Sequence, residues 1–153
     1  MKLANVILAV LGLGFTLYSQ PASGEYVPAA DEIALCIQLD TKEDIGLLVF
    51  DYSADGTQYS GGMSNADKSL LRHDERLIEV WNQETLRCSA DTVELSIQFR
   101  IITEYTDPNY ENVYPEDITR YVDAPLSWQA HFGESYSITI TGDQTNGYQA
   151  ILN

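Results

Sequence analysis

The stretch TVELSIQFRIIT, Thr92 to Thr103, limits what this chain can fold into more than any other. Val93, Leu95, Ile97, Phe99 and Ile101 alternate with Glu94, Ser96, Gln98 and Arg100. Side chains of a strand point to opposite faces in turn, so this period of two predicts a long β-strand with one face buried and one wet. A lone strand pair is marginal in water, and such a strand needs partners. Candidates are IALCIQL (Ile33 to Leu39), IGLLVFDY (Ile45 to Tyr52), LIEVW (Leu77 to Trp81), LSWQAHF (Leu126 to Phe132), YSITITG (Tyr136 to Gly142) and GYQAIL (Gly147 to Leu152). All are short, rich in branched or aromatic residues and bounded by turn formers. The expectation is an all-β, single-domain antiparallel β-sandwich of immunoglobulin-like type with about seven strands. One short helix is expected over Ser64 to Leu77, where Ser64 and Asp67 form a polar cap and neither glycine nor proline interrupts.

The first residues follow another rule. Lys2 precedes an apolar run from Val6 to Leu17, and Ala22 and Gly24 stand at the −3 and −1 positions of a cut before Glu25. This is the layout of a secretory signal peptide over residues 1–24, leaving 25–153 as the domain. The apolar run falls short of the roughly 20 residues a spanning helix needs, and no cysteine follows it to carry a lipid. The mature chain is therefore expected to be secreted or held in the cell envelope, with no membrane insertion. The lack of any N-x-S/T sequon fits a bacterial source.

Charge narrows the partners. Twenty-three acidic residues stand against 8 basic ones, a net charge of −15. Such a surface repels nucleic acid and anionic lipid. Ten tyrosines, two tryptophans and many aliphatic residues supply a core, so acidity here does not mean disorder. Cys36 and Cys88 are the only cysteines, and in an oxidising compartment one disulfide between them is expected, worth roughly 4 kcal/mol in the chain-entropy model.

Chemistry-bearing patterns are few. In FDYSADGTQYSGG, Asp51, Ser53 and Asp55 occupy positions 1, 3 and 5 of an EF-hand-like loop, with Gly56 at the sharp turn. The glutamate that calcium needs at position 12 is replaced by Gly62, which favours a hairpin with Gly56 in positive φ and leaves calcium as the one cofactor to consider. His73, among charged neighbours, reads as solvated surface; His131 and Glu134 lack the partners of a zinc site. No GxSxG elbow or P-loop occurs. With so many carboxylates, a pair at glycosidase spacing carries no information.

The remaining signal is EYTDPNYENVYPEDITRYVDAP, Glu104 to Pro125, where tyrosines interleave with carboxylates in a connection long enough to be functional, with a possible edge strand at Ile118 to Val122. Exposed tyrosines anchor protein interfaces and stack on sugars. Tyr105, Asp107, Tyr110, Glu111 and Tyr114 are the candidate contacts of a binding module for a protein or a glycan. A structural subunit of a surface fibre or envelope assembly is the alternative, although EYVPAADE lacks the alternating apolar residues of a donated strand. A small secreted hydrolase ranks third for want of a motif.

Overall fold

The computed structural model describes residues 16–20, 26–60, 76–106 and 117–153. Among them are nine strands: β1 (Thr16–Gln20), β2 (Glu32–Thr41), β3 (Gly46–Ala54), β4 (Thr57–Ser60), β5 (Arg76–Asn82), β6 (Thr92–Tyr105), β7 (Ile118–His131), β8 (Ser135–Asp143) and β9 (Gly147–Leu152). They form two sheets, ordered β1-β5-β2-β8-β9 and β4-β3-β6-β7. Every strand read from the sequence is present.

The alternation in β6 does what its period demands. Val93, Leu95, Ile97, Phe99 and Ile101 are buried and join Leu35, Ile37, Leu47, Trp81, Ile138 and Ile140 of the other strands in one core between the sheets. Burying each such side chain contributes roughly 1.5–3 kcal/mol. The arrangement is sandwich-like.

Several expectations need correction. The sheets are not wholly antiparallel, because β2 and β8 run parallel from Ala34↔Ser135 to Thr41↔Gly142. This departs from an ordinary immunoglobulin-like arrangement. The strand expected to start at Leu126 starts at Ile118, so much of the segment read as irregular is the first half of β7. The possible edge strand at Ile118 to Val122 is therefore real. β7 is the edge of its sheet, which is where Pro125, lacking an N–H, can sit in a strand. Of the helix expected over Ser64 to Leu77, residues 64–75 lie outside the described residues; Arg76 and Leu77 open β5. The segment read as a leader contributes β1, which pairs antiparallel with β5 from Thr16↔Val80 to Gln20↔Arg76.

The expected disulfide is not formed: Cys36 and Cys88 are free thiols. On β2 the neighbours Leu35 and Ile37 face the core, so Cys36 faces away from it, beside Ala34, Ile78 and Val80. Cys88 follows the turn after β5 and packs against the core from within. A sheet stands between the two thiols.

Candidate functional site

β6 and β7 pair along their length, from Thr92↔His131 to Tyr105↔Ile118. The β3 strand accompanies β6 only as far as Gly46↔Ile102. From Thr103 outward the chain is therefore a two-stranded arm, and most of its side chains are exposed. Register shifts around Glu104 add local twist.

Short polar contacts hold the arm together. The Thr106 N–H donates to the Asp117 carbonyl at 2.8 Å, closing the neck. The Thr106 hydroxyl reaches the Asp117 carboxylate at 3.2 Å, and the Thr103 hydroxyl donates to the Arg120 carbonyl at 3.3 Å. Arg120 and Glu104 approach to 3.7 Å, but both are well exposed and such a pair stabilises little.

The base of the arm is stiffer. Arg100 makes a bidentate pair with Asp123, Nε to Oδ1 at 2.9 Å and Nη2 to Oδ2 at 3.1 Å. Gln98 donates to the same carboxylate at 2.9 Å. These hydrogen bonds, Arg100's first, hold the Asp123 carboxyl below the usual carboxylate range, against a smaller opposing effect of burial. The Arg100 guanidinium also lies 3.7 Å from the centre of the Tyr121 ring, a cation–π contact. Tyr121 is 48% exposed and the next residue, Val122, 43% exposed. Since Tyr121 is opposite Ile102 and Val122 opposite Ile101, the two side chains project to opposite faces of the sheet.

Below the arm, the outer face of the four-stranded sheet is polar. Ser53, Ser96 and Ser127 lie side by side across three strands, and the Ser127 hydroxyl donates to that of Ser96 at 2.8 Å.

Of the residues singled out from the sequence, Tyr105 is the last residue of β6, on the arm itself. Asp107, Tyr110, Glu111 and Tyr114 lie outside the described residues, in the connection that the neck closes. Arg100, Tyr121, Val122 and Asp123 were missed as a group. Their signal was present: Arg100 stands on the wet face of the strongest alternation, and a single edge strand through Ile118 to Val122 would have brought Asp123 opposite it.

The stretch around Gly56 is a hairpin. Asp55 and Gly56, with φ of 47° and 80°, form the two-residue turn joining β3 to β4, as expected for an Asp-Gly pair in a primed turn. Asp51 and Ser53 are strand residues opposite Ser60 and Gln58. The Asp55 carboxylate accepts the Glu94 N–H at 2.9 Å and lies 3.7 Å from the Cys88 sulfur, tying the turn to β6 and to the loop after β5. Among the described residues no group of three or more His, Cys, Asp or Glu side chains is placed to hold a metal. No helix there is long and apolar enough to cross a membrane. Comparison with family models, curated proteins and solved structures finds no match.

A buried acid is the other unusual feature. Glu79 of β5 is 1% exposed, points to the core side with Leu77 and Trp81, and its Oε2 has no hydrogen-bond partner. Burial pushes its carboxyl up to about 8. Beside it Trp81 stacks on Tyr52 at 4.5 Å, and Tyr52 on Tyr59 at 5.1 Å. Glu79 is enclosed by the core and is not part of a site open to ligand.

Proposed function

We propose that the chain is a binding module exported to the cell envelope or beyond, which engages a protein ligand through the β6–β7 arm. The arm itself carries the reading: a two-stranded projection on a braced base, ending in a connection rich in tyrosine and carboxylate. Loops held by a rigid scaffold are where recognition is usually placed. The leader-like N-terminus supports export, and the net charge of −15 favours a basic partner and disfavours nucleic acid. An immunoglobulin-like frame is part of the proposal. It is supported by the β4-β3-β6-β7 order facing β5-β2, the order of the C′, C, F and G strands facing E and B in that fold. A glycan is the second class of ligand, favoured by the row of serine hydroxyls beneath the arm.

The test is to replace residues 107–116 by a short turn across the Thr106–Asp117 neck and to compare binding with the parent chain on protein and glycan arrays. Loss of binding with an unchanged melting temperature is the expected result. Full binding by the shortened chain would remove the arm from consideration.

A further inference from the structure

On the outer face of the four-stranded sheet, small side chains lie between larger ones in the same pattern on neighbouring strands. Ser53, Ser96 and Ser127 stand opposite one another on β3, β6 and β7, and Gln58 of β4 stands opposite Ser53. Two residues to one side, the same three strands carry Asp51, Gln98 and Pro125, again in register. Two residues to the other side, β6 and β7 carry Glu94 and Gln129. Side chains two apart share a face, so the serines form the floor of a shallow trough that crosses the strands, and the longer side chains form its walls. With strands about 4.8 Å apart and a rise of about 3.3 Å per residue, the trough runs roughly 14 Å from β4 to β7, between walls whose backbones stand roughly 13 Å apart. Ser127, Gln98, Glu94 and Gln129 are exposed and Ser53 and Ser96 half-buried, so the trough opens to solvent.

The hydrogen bonds around the trough decide what it offers. Gln98 donates its side-chain N–H to Asp123 at 2.9 Å and Gln129 donates to Thr92 Oγ1 at 3.4 Å, and both partners lie on the side away from the serines. Each amide is held from outside the trough and keeps its carbonyl oxygen as an acceptor. The Ser127 hydroxyl donates to Ser96 Oγ at 2.8 Å, so the Ser96 hydroxyl has its own proton to give. Donors and acceptors therefore alternate over a short distance with no apolar centre among them. Protein interfaces and peptide grooves rely on buried apolar anchors, whereas a chain of sugar rings presents hydroxyls that both give and accept. Asp51, Glu94 and a net charge of −15 repel an anionic chain. We propose that the trough is a subsite for a neutral glycan chain, laid across β3, β6 and β7 with its hydroxyls bonded to the serine floor and to the amides of Gln98 and Gln129. This inference rests on the glycan reading above and gives it a place apart from the arm.

The probes are three neutral polymers, hydroxyethylcellulose, galactomannan and dextran, and one acidic polymer, polygalacturonate, each cast into a native gel through which the full chain is run. At least one neutral polymer is expected to retard the chain, and polygalacturonate is expected not to. Ser96→Leu, which fills the floor and removes its hydroxyl, is expected to weaken binding to that polymer by about tenfold or more. Gln129→Ala removes one acceptor and is expected to weaken it by roughly threefold to tenfold. Gln129 is exposed, so its variant decides the matter if Ser96→Leu fails to fold. Retardation by none of the neutral polymers, equal retardation by polygalacturonate, or unchanged binding by both variants overturns the proposal. If shortening residues 107–116 abolishes retardation while both variants leave it intact, the trough proposal fails and the glycan reading survives on the arm. If a protein ligand from the arrays is lost with Gln129→Ala and no polymer is bound, the trough is a protein contact and the proposal fails with the glycan reading.

Discussion

At the scale of single residues, Glu79 is the point where local chemistry and the fold disagree most. Its strand places it between Leu77 and Trp81 on the core side, a position that alternation assigns to an apolar residue. A carboxyl buried with its Oε2 unpartnered stays protonated as far as it can, and its folded pKa near 8 lies above the ordinary value of 4.5. The sign of the linkage follows. Between those two values the unfolded chain has released the proton that the folded chain keeps, so Glu79 weighs least against folding below about 4.5 and its cost grows until about 8. At pH 7 the cost is on the order of 3 kcal/mol. Glu79→Gln removes the ionisation but keeps an amide to bury, so the expected gain near pH 7.5 is about 1–2 kcal/mol. Thermal melts of both chains from acid to mildly alkaline pH check this. The difference between them should widen with pH; a constant difference would mean that Glu79 titrates normally.

At the scale of elements, the β6–β7 hairpin owes its stiffness to the Arg100–Asp123 pair, which spans the two strands where the arm leaves the sheet. Charge-assisted bidentate bonds are stronger than neutral ones, and this pair is only partly exposed. Arg100→Ala should therefore destabilise by about 1–2 kcal/mol, through the lost pair and the Tyr121 contact together. The Asp123 carboxyl titrates below its ordinary value, so the pair's contribution is present above the usual carboxylate range and fades as pH falls below it. Faster amide exchange at Tyr121 and Val122 in Arg100→Ala, at neutral pH, is the measurement; unchanged exchange would show that the arm holds without the pair. The hairpin also marks how far sequence carried. β6 was legible because its alternation is unbroken over Val93 to Ile101. The start of β7 was obscured because Ile118 to Val122 stands clear of the core and so lacks a one-sided apolar pattern. A two-stranded arm has no buried face to write into the sequence. The hairpin with positive φ at Gly56 was legible for the opposite reason, since that backbone conformation favours glycine, although the loop read over Ser53 to Gly56 is the tighter two-residue turn Asp55-Gly56.

At the scale of the whole molecule, the missing signal concerned which strands from distant parts of the chain would meet. Two strands read separately as candidates, β2 and β8, pair in parallel, and the residues of each alone do not say which strand it will meet or in which direction. The same blindness affected the cysteines. Compartment and number suggested a bridge, but the face each residue occupies depends on alternation in β2 and on the turn after β5. Cys36 lies on the face of the five-stranded sheet away from the core, and Cys88 packs from the core side beside Asp55. Joining them would require one strand to reverse its faces, which would expose Leu35 and Ile37 and forfeit several kcal/mol of burial. The core alone must then hold the sandwich. The melting temperature is accordingly expected to be the same with and without a reducing agent, and both thiols should react with a maleimide once the chain is unfolded without reductant. A bridge closing so long a loop would contribute roughly 4 kcal/mol, so a drop on the order of 10 °C or more on reduction would show that the two sheets are stapled after all.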